Sequence, residues 1–68
     1  MTKEALEVFL KLNPNCAICG AEGEVIDHCH VSGAVRGHLC RTCNSGLGMF
    51  KDRQDLLAKA ATYLRNSV

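Results

Sequence analysis

The chain has 68 residues, 47% of them hydrophobic, with eight basic and seven acidic side chains and a formal net charge of +1. So short a chain makes at most one small domain, residues 1–68, whose core needs a staple to reach ordinary stability. No stretch approaches the roughly 20 apolar residues of a membrane span; Met1-Thr2-Lys3-Glu4 leads into an amphipathic pattern without an apolar signal segment, so a cytoplasmic, reducing setting is expected.

The first predicted element is a helix over residues 2–12. Leu6, Phe9 and Leu10, with Ala5 and Leu12 beside them, follow the i, i+3, i+4 spacing; Thr2 can cap the start, and Asn13-Pro14-Asn15 ends it. Cys16 to Gly23 reads as a tight knuckle, with Gly20 directly after Cys19, where backbone amides must turn toward the sulfurs. Glu24–Val31 and Ala34–Leu39 are short runs joined by Ser32-Gly33, a pattern that predicts a β-hairpin. A short helix of about two turns beginning near Cys40 or Arg41 comes next, in spite of Gly46 and Gly48. Asp52 is then expected to cap a last helix over 53–66, in which Asp55 can pair with Lys59. Its apolar stripe, Leu56, Ala60, Tyr63 and Leu64, is expected to pack on the domain's own core, with a dimer face as the alternative.

Four of the five cysteines form the pattern C-x2-C-x20-C-x2-C: Cys16, Cys19, Cys40 and Cys43. That spacing predicts a structural zinc site, closed by four thiolates, with no open position for chemistry and with metal binding coupled to folding; disulfides or another thiophilic metal are the alternatives. A redox role for either pair fits poorly, because the two pairs satisfy each other. Cys29 is left over and reads as a small buried or half-buried residue on a strand. Charge is distributed unevenly: residues 1–35 carry two basic against five acidic side chains, net −3, and residues 36–68 six against two, net +4. A basic half suits a polyanion such as nucleic acid.

The segment IDHCHVSGAVRGHLCRTCNSGLGMFKD, residues 26–52, closely resembles the phage recombination endonuclease VII family, a branch of the HNH or ββα-metal (His-Me finger) nucleases. The matching features are the two CxxC pairs, Asp27-His28-Cys29-His30, Val35-Arg36-Gly37, and Cys43-Asn44 followed by Leu47-Gly48, together covering residues 16–52. The resemblance implies a small α+β, zinc-stabilised domain: a zinc-bound ββα-metal core flanked by N- and C-terminal helices. It also implies a metal-dependent DNA endonuclease, in the host cytoplasm if phage-encoded, that leaves 5′-phosphate and 3′-hydroxyl ends.

Phosphodiester hydrolysis needs a base to activate water and a cation to stabilise the charge on the phosphate and the departing oxygen. Histidine, with an unperturbed pKa of about 6.5, suits the first role, and a hydrated Mg²⁺ or Mn²⁺ the second. By similarity to the family, His28 is the general base, Asp27 and Asn44 hold the divalent ion, and His30 assists. Arg36, Arg41 and Lys51 are candidate nucleic-acid contacts. The residues admit plainer roles too. Asn44 could satisfy backbone groups at a helix start, Asp27 could orient an imidazole, and Arg36 could pair with an acidic residue across the hairpin. His38, where the family usually has an apolar residue, is expected at an exposed strand position without chemistry.

Side chains alternate faces along a regular strand, so Asp27 and His28 can serve one site only if the hairpin is irregular between them. Larger members of the family carry further helices and a C-terminal domain that grip branched DNA as a dimer. For a small domain with few phosphate contacts, nicking or low-specificity cleavage is expected, with a homodimer or partner protein as a source of further contacts. The alternative is a non-catalytic zinc module that binds nucleic acid or protein.

Overall fold

The computed structural model describes residues 2–67, in the order α1 (Lys3–Leu12), β1 (Val25–His28), β2 (Val35–Leu39), α2 (Arg41–Met49) and α3 (Gln54–Asn66). It is a small α+β fold with one antiparallel two-stranded hairpin and three helices. Thr2 caps α1, its Oγ1 accepting the Ala5 amide at 3.1 Å. At the other end the Asn13 amide and side chain both donate to the Phe9 carbonyl, at 2.9 Å each.

Between α1 and β1 the chain makes a small hairpin of its own. Asn15 bridges Glu22, and the Gly20 amide returns to the Cys16 carbonyl at 3.0 Å, with Gly20 at φ +81°, a conformation that costs an L side chain about 1–2 kcal/mol. This knuckle is stitched to β2. Ala17 donates to the His38 carbonyl at 3.0 Å and Glu24 to the Leu39 carbonyl at 2.8 Å.

The buried interior is small and largely sulfur: Cys16, Leu39 and Cys40, with Cys43 and Leu47 packed against them. No residue within the three helices is buried, although α2 lies against β1. Ile18, Cys43, Gly46, Leu47, Phe50 and Leu57 surround a shallow apolar hollow of about 190 Å³, through which the first turn of α3 meets the knuckle and α2. Without a metal, such a core falls short of what a chain this size needs.

The structure corrects several expectations about the elements. The first strand ends at His28, so Cys29 lies in the connecting turn, its amide donating to the Ala34 carbonyl at 2.8 Å. Asp52 does not cap α3; Arg53 stands at that position without a side-chain cap, and Asp55 pairs with Arg53 at 2.6 Å rather than with Lys59. Lys51 and Asp52 instead close α2. The Asp52 amide donates to the Leu47 carbonyl and the Lys51 amide to that of Gly48, both at 2.9 Å, with φ +56° and +57° respectively. That is a Schellman closure in which lysine takes the place glycine usually fills. The α3 stripe is only half covered: Leu56 and Ala60 are partly buried, whereas Tyr63 and Leu64 are exposed.

Candidate metal centre and active site

The sulfurs of Cys16, Cys19, Cys40 and Cys43 all lie within 4.8 Å of one another, and those of Cys19 and Cys40 are 3.6 Å apart. A tetrahedral zinc with Zn–S bonds of about 2.3 Å requires sulfur separations of about 3.8 Å, so the quartet fits the ion. The backbone is also arranged for negative charge. The Ile18 amide points at Cys16 Sγ and the Cys43 amide at Cys40 Sγ, each at 3.4 Å, and Cys40 is the N-cap of α2.

Without a cation the quartet cannot ionise uniformly. Amide hydrogen bonds, that of Cys19 foremost and then that of Cys40, lower the Cys16 thiol from 9.0 to about 6. The Cys43 thiol is pushed up to about 12, chiefly by its hydrogen bond with the Cys40 side chain, then by burial and by the Cys16 and Cys19 sulfurs. A zinc ion held by the four thiolates would resolve this conflict by supplying two positive charges, and protons would compete with it.

The second cluster surrounds the hairpin on the His28 side. Asp27 pairs with Gly37 and His28 with Val35, leaving Arg36 as an extra residue on β2. The irregularity expected between Asp27 and His28 is thus present, produced by a bulge in the partner strand. Asp27 is buried at 9% exposure, whereas His28 is exposed. Arg36 grips Asp27 with both arms of its fork, Nε to Oδ2 at 2.7 Å and Nη2 to Oδ1 at 3.0 Å. The same Nη2 reaches Asp52 Oδ2 at 3.3 Å, and His30 Nδ1 lies 3.7 Å from that oxygen. The Asp27 hydrogen bond, foremost, raises the guanidinium's pKa above its already high ordinary value.

The remaining candidates are more scattered. Asn44 sits, half-buried, in the first turn of α2, and its side-chain amide makes no hydrogen bond among the described residues. Arg41 is 80% exposed and reaches the carboxylate of Glu24 at 3.6 Å; Lys51 is exposed, with no ion pair among the described residues. His38 is not the exposed, idle residue expected. It is half-buried, its Nδ1–H donating to the Asn13 carbonyl at 2.8 Å, and its ring fills the space where a side chain at Gly23 would begin. Cys29 is half-buried, and its thiol is lowered to about 7, chiefly by the Ser32 hydroxyl and then by the Ser32 and Val31 amides.

Sequence reasoning missed the joint role of Arg36 and Asp52. The alternative that Arg36 pairs with an acid across the hairpin is met by Asp27; its second contact, with Asp52, had no signal, because nothing in Phe50-Lys51-Asp52 announces a helix closure without glycine.

A hairpin leading into a helix, with four thiols gathered around the helix start, defines a zinc-stabilised ββα class of domain. The chain belongs to the recombination endonuclease VII family, whose sequence model matches residues 1–66. Membership supports a nuclease role, with DNA as the substrate it implies. No curated protein and no solved structure matches the chain. Among the described residues no helix is long and apolar enough to cross a membrane.

Proposed function

We propose that the protein is an HNH-type DNA endonuclease in which His28 is the general base and Asp27 and Asn44 hold Mg²⁺ or Mn²⁺. The observation that carries this reading is the pairing of an exposed imidazole with an adjacent buried carboxylate at the hairpin bulge. Carboxylate and amide oxygens from Asp27 and Asn44 would make a small, hard donor set, and a partly buried amide without a side-chain hydrogen bond among the described residues suits an ion that keeps most of its waters. When bound, that ion would neutralise charge on the scissile phosphate and on the departing 3′ oxygen.

His28 takes a proton from the attacking water as its oxygen bonds to phosphorus, and the phosphorus–3′-oxygen bond breaks. The products are a 5′-phosphate and a 3′-hydroxyl. His30, held toward Asp52, orients the phosphate. Arg36, Arg41 and Lys51 add positive charge for the DNA backbone, and a second copy or partner protein covering Tyr63 and Leu64 would add contacts. The residues 1–68 act as one domain in this reading.

The test is nicking of supercoiled plasmid by zinc-loaded protein with Mg²⁺ or Mn²⁺, beside a folded His28→Ala variant. The wild type is expected to nick, and the variant to be slower by about 10²–10⁴-fold. Intact plasmid with both proteins under every divalent ion would favour the alternative of a non-catalytic zinc module for nucleic acid or protein. Equal nicking by both would remove His28 from the mechanism. One observation favours that alternative: Arg36 already engages both Asp27 oxygens. Parallel assays on linear, branched and single-stranded DNA would identify the substrate's shape.

A further inference from the structure

Resting on the nuclease reading, we propose that Arg36 is a built-in counter-cation for Asp27, which releases this carboxylate to a divalent ion by turning onto Asp52. Arg36 and Asp52 would thereby set how readily Asp27 accepts metal.

Three features of the geometry support the exchange. Asp27 is buried, and an ionised carboxylate in that position needs a positive partner; in this structure the partner is a guanidinium on both of its oxygens. Arg36 is the extra residue of the bulge, with a side chain 38% exposed, so its long stem has room to swing. Its Nη2 is already shared between Asp27 at 3.0 Å and Asp52 at 3.3 Å, so a small rotation that lengthens one bond can shorten the other.

Asp52 is a fixed acceptor rather than a wandering surface acid. The Schellman closure of α2 anchors its backbone, with its amide on Leu47 at 2.9 Å. Charge favours the exchange as well. A guanidinium left on Asp27 keeps both of its oxygens occupied and its charge next to an incoming divalent ion, whereas one turned onto Asp52 frees those oxygens and moves its charge away from them.

The test measures Mn²⁺ affinity of the zinc-loaded protein by the electron paramagnetic resonance signal of free Mn²⁺, without DNA and without reference to cleavage. Zinc content and circular dichroism verify the fold of each variant. Arg36→Gln removes the competing charge and is expected to bind Mn²⁺ about ten-fold more tightly. Asp52→Asn removes the alternative seat and is expected to weaken binding about three-fold, a loss that should shrink in the Arg36→Gln background because both residues act on one event. Should Arg36→Gln fail to fold, Arg36→Lys keeps the charge but loses the fork, and is expected to bind more tightly than wild type.

Unchanged or weaker Mn²⁺ binding in the Arg36 variant would overturn the proposal and leave Arg36 as a support for Asp27. If Asp27→Asn still abolished binding in that case, the nuclease reading would stand alone. Mn²⁺ affinity indifferent to Asp27→Asn would overturn both the exchange and the assignment of Asp27 to the metal.

Discussion

The two polar clusters are built on opposite principles. Around the four thiols, Cys16 and Cys40 are buried beside Leu39, Cys43 is half-buried and Cys19 exposed, and backbone amides are directed at the Cys16 and Cys40 sulfurs. Around the bulge, hard groups lie at the surface, His28 and His30 exposed, and only Asp27 is buried, with a charge partner. The first cluster replaces a hydrophobic core. The second is tied to it through the chain, because β2, which carries Arg36, runs into Cys40 and α2, which carries Asn44, starts there. On the proposed reading, a soft four-thiol anchor beside a harder, more exposed edge would keep the fold's stability apart from its chemistry.

The strongest way to break this comparison is to remove zinc. Chelation is expected to unfold the chain rather than loosen it, since structural zinc contributes about 10–16 kcal/mol of apparent binding free energy and the core has little else. Circular dichroism checks the loss, and a native spectrum after complete chelation would refute it. Thiol alkylation sharpens the same contrast: zinc-loaded protein should take one iodoacetamide adduct, on Cys29, and chelated protein five. The rate at Cys29 should rise with pH to a half-maximum near its thiol pKa of about 7, because only the thiolate attacks and the Ser32 hydroxyl holds that form. Zinc affinity should fall on acidification as protons reclaim the sulfurs.

A smaller effect is expected at the seam between α1 and the hairpin. A methyl group at Gly23 would intrude on the His38 ring, forcing it away from the Asn13 carbonyl. Gly23→Ala should therefore cost about 1–3 kcal/mol, typical of overpacking. At about 4–8 °C per kcal/mol for a domain of this size, the change is readable in a thermal melt of the zinc-loaded protein. His38→Ala in the Gly23→Ala background should restore part of the loss by removing the clash. No restoration would mean that the ring is not the obstacle.

Much of this was legible in the sequence, for reasons that differ by element. The cysteine spacing identified the quartet because metal coordination fixes which residues meet, whatever lies between them. Helix α1 was legible from its stripe and Thr2, and α2 was expected to begin near Cys40 or Arg41, where it does, with Cys40 as its N-cap. The bulge was inferred from a conflict between strand alternation and a shared site, but its extra residue, Arg36, belongs to the other strand, which no alternation argument could assign. Asp52 was misread because an aspartate ahead of a helix looks like a cap; the deciding fact was the preceding helix closing through Leu47 and Gly48. His38 was misread because its partner, Asn13, is 25 residues away.

The smallest effect separates shape from charge at Lys51. A lysine at φ +57° bears a steric cost of about 1–2 kcal/mol that glycine does not, although glycine loses more chain entropy on folding. Lys51→Gly is therefore expected to stabilise the zinc-loaded protein by about 0.5–1 kcal/mol, and Lys51→Gln, which keeps the strain, to leave stability unchanged. If Lys51 meets a phosphate, both variants should weaken DNA binding alike, and the slope of log affinity against log salt should flatten by about 0.9. Stabilisation in Lys51→Gly with undiminished DNA binding would leave the residue only the turn. No stabilisation would mean that the strain at the α2 closure is relieved elsewhere, and the placement of Asp52 beside Arg36 would then owe less to this turn than its hydrogen bonds suggest.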